Sequence, residues 1–379
     1  MENNNYVIII SAYNRPDALK NILNSLNNIL TDKKIHLIIS IDNQGTEFVN
    51  KIAYDFIWKH GKKEIVIHKQ KKGLREHFIW IGDQTEKYEN VLFLEDDLYV
   101  SPYILQFVEK AIEKYSNDDR VTGISLYNPL ISEFDKCKFF QIEDGYDNYF
   151  FQHPYWGNVW FKKQWEEFKK WLDTYEENLD LLPKSVQHWN ETSFKKLYIQ
   201  YMVEKDRYMV YPRVSYVTNM GEMGLHSKTN FLQFHTSLQM NSTSLRLSSF
   251  DDSSSIYDIF FEYSSKLLKK KIKKLREYDF CIDIRGVRTK FFTKYVLTSR
   301  KVDNYIFSFG SDFRPQEMNV LLDISGKGIY LAKVEDLRLD KNYLKKRIVD
   351  DILCRNYSIG FKEIVSCFIY TIKLKLGWV

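Results

Sequence analysis

Val91-Leu92-Phe93-Leu94-Glu95-Asp96-Asp97 is a short apolar run that delivers three carboxylates at its end. Four apolar residues bounded by charge predict a buried central strand, because a parallel strand covered on both faces has no polar side to show. The acids then fall at its C-terminal tip, and ligands of open α/β sheets bind in the crevice outside the carboxyl ends of the strands. Carboxylate oxygens suit Mg2+ or Mn2+, which is commonly held by one or two such groups with substrate phosphates completing its shell. On the triplet alone, a solvated acidic turn after a core strand explains the pattern equally well.

Working back from the triplet, Tyr6-Val-Ile-Ile-Ile-Ser-Ala predicts a first strand that ends in Tyr13-Asn14-Arg15-Pro16-Asp17. Pro16 and Asp17 are helix-start residues, and Leu19, Ile22, Leu23, Leu26 and Ile29 follow at helical spacing. Ile35 to Ile41 predicts a second strand that runs into Asp42, and Glu64 to His68 a third, followed by Lys71, Lys72, Gly73 and Arg75. Glu76 to Tyr88 predicts the helix that leads into the acidic strand. Strand and helix in alternation mean an α/β domain with a mostly parallel sheet. No GxGxxG follows the first strand and no GxxxxGK[ST] occurs anywhere, which argues against dinucleotide and P-loop readings.

The chain has 379 residues, enough for a large domain and a smaller one, since single cores stop growing near ~250 to 300 residues. With 44% hydrophobic and 28% charged residues it is globular. The net charge of +5 is unevenly placed: Lys266 to Arg276 carries seven basic residues, and Lys341 to the end carries eight against three acids. That asymmetry suggests an anionic surface as a partner of the C-terminal part. Cys137, Cys281, Cys354 and Cys367 are widely spaced without CxxC, so neither a zinc knuckle nor a disulfide framework is expected. Met1 to Asn5 shows no leader, and no run approaches the ~18 apolar residues of a membrane span, so a cytoplasmic protein is expected.

The opening ISAYNRPDALKNILNSL, the SID at Ser40 to Asp42 and the EDD at Glu95 to Asp97 together resemble a GT-A fold glycosyltransferase. GLREHFIWIGDQTEKYENVLFLEDDLYVSPYILQF is similar to the core of family 13 N-acetylglucosaminyltransferases and of bacterial family 2-like relatives. The likeness runs through ISLYNP and WGNVWFKKQWEEF to GLHS at Gly224 to Ser227, covering roughly residues 6 to 240. It implies a Rossmann-like sheet, a nucleotide-sugar donor and a Mn2+ or Mg2+ cofactor. By the resemblance, Asp97 is the direct metal ligand, with Glu95 and Asp96 facing ribose, sugar and the metal's water shell. Arg15 falls where the family contacts the nucleotide, Asp42 where it holds an acid near base and ribose, and His226 where it reaches diphosphate or metal. Arg75 and His77 are expected as supporting phosphate or sugar contacts, and Trp156, Gly157 and Asn158 as contacts to a sugar.

An acceptor hydroxyl needs a base, because it is a poor nucleophile until its proton is taken in the transition state. Gln187-His188-Trp189-Asn190-Glu191-Thr192 combines an acid with an aromatic platform. Similar family members carry an acid directly after the tryptophan, where this chain has Asn190. Glu191 is therefore the expected base, with Trp189 beside the sugar and Asp206 as a rival; the alternative leaves Trp189 in the core and Glu191 as an exposed helix-start acid.

Residues 1–245 are thus expected to form the GT-A domain, 246–277 a Ser/Asp-rich linker and basic helix, 278–350 a small α+β module and 351–379 an amphipathic helix. In that last segment Ile364, Val365, Phe368, Ile369, Ile372 and Leu376 recur at helical spacing beside Lys362, Lys373 and Lys375. Such a helix can lie in a headgroup plane or dock on its own protein. The expected activity is metal-dependent, inverting transfer from a UDP-sugar to a glycan or lipid-linked acceptor in surface-glycan synthesis, with no nucleic-acid partner. An anionic membrane at the inner face is the further expected partner. A silent sugar-binding protein on the same fold, suggested by Asn190, and a nucleotidyltransferase are the competing readings.

Overall fold

The computed structural model describes residues 5–43, 45–221, 234–340, 342–355 and 360–375. The first half alternates as its hydrophobic pattern dictates: β1 (Tyr6–Ala12), α1 (Pro16–Asn27), β2 (Leu37–Ile41), α2 (Glu47–Asp55), β3 (Lys63–Ile67), α3 (Gly73–Asp83), a single turn α4 (Thr85–Tyr88) and β4 (Asn90–Glu95). Then come β5 (Leu98–Val100), α5 (Ile104–Tyr115), β6 (Val121–Ser125), β7 (Asn148–Phe151), β8 (Asn158–Phe161), α6 (Lys162–Leu172), α7 (Lys184–Gln187), α8 (Phe194–Glu204), β9 (Tyr208–Pro212), β10 (Val217–Asn219) and β11 (Ile256–Tyr257).

Among the described residues nine strands form one sheet in the order β11-β7-β9-β6-β8-β4-β1-β2-β3. β1, β2, β3 and β4 are mutually parallel, and β4 and β6 both run antiparallel to β8, so β4, β6 and the parallel β9 end on the same edge. That edge carries Glu95 to Asp97, the loop after β6 and Asp42. β4 is buried from Asn90 to Leu94, with Phe93 packed between Phe78 (ring centroids 4.5 Å) and Trp160 (5.2 Å). Each such side chain contributes roughly 1.5–3 kcal/mol of burial, and the strand turns polar only at its tip.

Residues read from the sequence as linker and basic helix enter this core: Leu247, Ile259 and Phe261 are buried and β11 adds parallel to β7. The basic helix expected from Ile256 is confined to α9 (Ser265–Lys271), because Ile256 and Tyr257 are drawn into the sheet and the Ser264 side chain caps the helix at Leu267. A separate sheet of order β12-β13-β15-β14 follows, from β12 (Phe280–Asp283), β13 (Tyr295–Thr298), β14 (Phe307–Phe309) and β15 (Ile329–Lys333), with α10 (Glu317–Leu321) between its last two strands. It is joined to the larger sheet's loops by charge: Asp135, fully buried in the loop after β6, takes two bonds from Arg285 (3.0 and 2.8 Å) and one from Arg347 (3.3 Å). Arg347 lies on α11 (Tyr343–Arg355), and the described chain closes with α12 (Phe361–Lys375).

Candidate active site at the acid edge

The strand register sets Ser11 of β1 beside Glu95 of β4, so the loop after β1 reaches the acids across one inter-strand step. Arg15 in that loop bonds Asp97 through Nη1 to Oδ2 at 2.9 Å, and its Nη2 pairs with Asp96. Three predicted residues thereby meet in one cluster. The other oxygen of Asp97, Oδ1, is buried without a hydrogen-bond partner among the described residues. A carboxylate oxygen so placed is costly unless something completes it, and it fits a divalent cation as one ligand. Among the described residues no group of three or more His, Cys, Asp and Glu side chains is placed to hold a metal ion. Burial pushes the Glu95 carboxyl up to about 7; Lys195 and Arg15 draw it down, while Asp97 and Asp96 push it further up.

Lys195 was not singled out from the sequence. It lies in the first turn of α8, which runs back to the start of β9 and so has its N-terminus at the acid edge. Its ammonium stands 4.6 Å from the ring centre of Trp156, which also meets Tyr127 and Phe234 edge-on at 4.8 and 5.0 Å. Trp156 is thus linked to the acids through Lys195, whose charge acts on Glu95. Gly157 has φ +67°, and a Cβ there would press on Val217 at 3.0 Å and Leu126 at 3.2 Å. The glycine serves close packing of its own chain, a constraint that accounts for it without a ligand.

Glu191 is exposed in the turn before α8, four residues from Lys195. Asn190 Oδ1 accepts from the Thr192 N–H and hydroxyl, both at 2.9 Å, so the asparagine shapes this turn. Trp189 is half-buried against the core. Asp206 precedes β9, at the sheet edge opposite the acids, and pairs with Lys266 at 2.6 Å. Its place removes it as a rival base.

Asp42 is buried at the tip of β2, where it accepts main-chain N–H bonds from Asn43 (2.8 Å), Lys72 (2.8 Å) and Gly73 (3.0 Å). It holds the loop that starts α3. Arg75, in the first turn of α3, is half-buried with Nε unpartnered among the described residues. His77, expected as a ligand contact, instead points into the fold: its Nε2 meets Ser40 Oγ at 2.7 Å, and Ser40 Oγ also meets His68 at 3.0 Å. Burial pushes the His77 imidazole down to about 4, with His68 adding to that effect. Helical periodicity explains the correction, since His77 shares its inward face with Phe78 and Ile81.

His226 lies outside the described residues. The chain on either side of it is fixed at the acids, because Met220 N–H donates to the Asp97 carbonyl (2.8 Å) and His235 Nε2 meets the Met220 carbonyl (3.0 Å). The sequence reading also passed over Glu133 and His153. The signal available was His153 in Gln152-His-Pro-Tyr-Trp, a histidine set between aromatic residues.

Residues 7–168 match the family model described as Glycosyl transferase family 2. Over those residues the chain is similar to family 2 glycosyltransferases. The match spans fewer than half of the 379 residues, and no curated protein matches significantly. Among solved structures, S. aureus TarS 1–349 in complex with UDP-GlcNAc is 14% identical, with 58% of this chain covering 60% of that one at a TM-score of 0.39. Mouse xyloside xylosyltransferase 1 is 8% identical over 52% and 82% of the two chains, at a TM-score of 0.34. A mannosyltransferase of Pyrobaculum calidifontis, in complex with GDP-Man and Mn2+, is 13% identical over 44% and 46%, at 0.32. The chain spans under two thirds of the S. aureus structure, and scores this low leave its chemistry to be argued from its own residues.

Proposed function

We propose that the protein transfers a sugar from a nucleotide sugar to a hydroxyl of a glycan or lipid-linked acceptor, with inversion at the anomeric carbon. The observation that carries this reading is the cluster of Arg15, Asp96 and Asp97 at the tip of β4, inside the segment that matches family 2. Asp97 would hold Mn2+ or Mg2+ through the buried Oδ1, and such an ion supplies Lewis-acid stabilisation of a departing diphosphate. Arg15 adds a fixed positive charge for phosphate oxygens, and Trp156 a face for the donor sugar. Glu191, on the turn before α8, would take the acceptor proton, so a single displacement needs no protein nucleophile. A UDP-sugar is favoured by the family resemblance.

Asn190 does not favour the silent reading, because its side chain is a turn-former and the neighbouring acid remains exposed. Cytoplasmic placement with attachment to an anionic inner membrane face belongs to the same proposal. It is supported by α12, where Ile364, Val365, Phe368, Ile369 and Ile372 are all solvent-exposed. No helix among the described residues is long and apolar enough to cross a membrane. The deciding experiment incubates the protein with Mn2+ and a panel of UDP- and GDP-sugars, reading thermal protection and donor hydrolysis. Protection with turnover is expected; protection without turnover on any acceptor selects the silent reading, and neither effect with any donor rejects the proposal.

A further inference from the structure

Beside the acid edge the loop after β6 borders a shallow, open recess of about 20 Å3, room for one hydroxyl-sized group, lined by Tyr127, Ile131, Glu133, Lys136, Tyr155 and Phe234 among others. Its polar centre is Glu133, whose Oε1 receives His153 Nε2 at 2.6 Å and the Tyr155 hydroxyl at 3.3 Å. His153 is 1% exposed and stacks on Tyr155 at 4.0 Å between ring centres, so the carboxylate is clamped by side chains that cannot swing away. Both bonds fall on one oxygen, and the Glu133 side chain stays 23% exposed on the recess. A carboxylate held only for structure has no need of an exposed, pre-oriented second oxygen.

Desolvation alone would push the Glu133 carboxyl up, but His153, Lys195 and Lys136 outweigh it and hold it below the usual carboxylate range. Glu133 is then ionised at neutral pH and only accepts hydrogen bonds, so its partner must be a donor such as a hydroxyl. Lys195 Nζ stands 5.9 Å from the ring centre of Tyr155, which lines the recess, and its charge acts on both Glu133 and Glu95. Phe234 of the recess packs on Trp156, the aromatic residue beneath Lys195. Phe234 and the 37% exposed Ile131 add an apolar rim.

We propose that this recess anchors the acceptor: one hydroxyl of the incoming sugar enters it and donates to the second oxygen of Glu133, while the ring lies over its open mouth with Phe234 and Ile131 against its C–H edge. The proposal rests on the glycosyltransferase reading and adds the residue that selects the acceptor. Pre-orientation by His153 and Tyr155 lowers the ordering cost of a polar contact, which is how a shallow site gains specificity.

The test titrates the full chain, loaded with UDP and Mn2+, with methyl glycosides of glucose, galactose, mannose and N-acetylglucosamine, reading affinity by saturation-transfer NMR. At least one is expected to bind, and Glu133→Gln and Ile131→Trp are each expected to weaken it tenfold or more. If Glu133→Gln melts early and disturbs the fold, Ile131→Trp at the exposed rim decides alone. No binding of any glycoside to the wild type, or wild-type affinity in the folded variants, overturns the proposal. UDP affinity is measured separately. Its absence rejects the glycosyltransferase reading, whereas the glycoside titrations still decide what the recess does.

Discussion

Arg15 grips Asp97 at 2.9 Å while leaving the second oxygen of that carboxylate buried and unpartnered among the described residues. One acid is therefore paired from the β1 side while its other oxygen lacks a partner. Under the proposed function, the guanidinium and a bound ion would act on one diphosphate without competing for the same oxygen.

Asp97→Ala should abolish Mn2+-dependent protection by nucleotide sugars and leave the melting temperature of the free protein nearly unchanged, since Arg15 keeps Asp96 as its partner. Calorimetric titration with UDP-sugar, with and without Mn2+, checks it. Undiminished affinity with Mn2+ present would show that the ligand oxygen lies elsewhere.

Glu191→Gln should lower turnover by ~10²-fold or more with donor affinity little changed, the usual size of a general-base contribution. Full activity in this variant would mean that the proton goes to another group at the acid edge. Asp206 cannot be that group, because it sits at the far edge of the sheet with Lys266.

His77 gives the fold a pH dependence of known sign. Unfolded, it binds a proton near pH 6.5; folded, only near 4. Between those values the unfolded chain carries more protons, so the stability due to this neutral histidine is fully present above about pH 6.5 and is lost as pH falls through 4, up to roughly 3 kcal/mol. Urea midpoints at pH 7, 5.5 and 4.5 should decline less steeply in His77→Leu than in wild type. Parallel declines would assign the acid sensitivity to other groups.

Deleting residues 360–379 should leave a folded protein that no longer sediments with liposomes containing phosphatidylglycerol at low salt. The apolar residues of α12 that the deletion removes are solvent-exposed, Phe368 at 66% and Ile369 at 49%, and Arg347 is retained. Unfolding of the truncated chain, or indifference of the intact chain to such liposomes, would make α12 a structural element.

The N-terminal half was legible in the sequence because β1, β2 and β4 are apolar runs and α1 shows clean 3.6-residue spacing. The acid tip and Arg15 were legible for the same reason, since a strand end and the loop after a neighbouring parallel strand share one edge. β11 was not, because two residues in a serine-rich stretch carry no periodic signal and are strands only through pairing with β7. Glu133 and His153 lie 20 residues apart and meet by tertiary packing alone. His77 was misread because a polar residue on an inward helix face looks, in sequence, like any other polar residue near a loop.

The bonds from Arg285 and Arg347 to Asp135 also bear on engineering. Asp135 is two residues from Glu133, so the C-terminal third is not a detachable cassette. A chimera that grafts another protein's C-terminal part onto this domain would leave a buried carboxylate uncompensated, a loss of about 3–5 kcal/mol for a broken buried pair. Any workable graft must bring its own two arginines or arrive together with an uncharged residue at position 135.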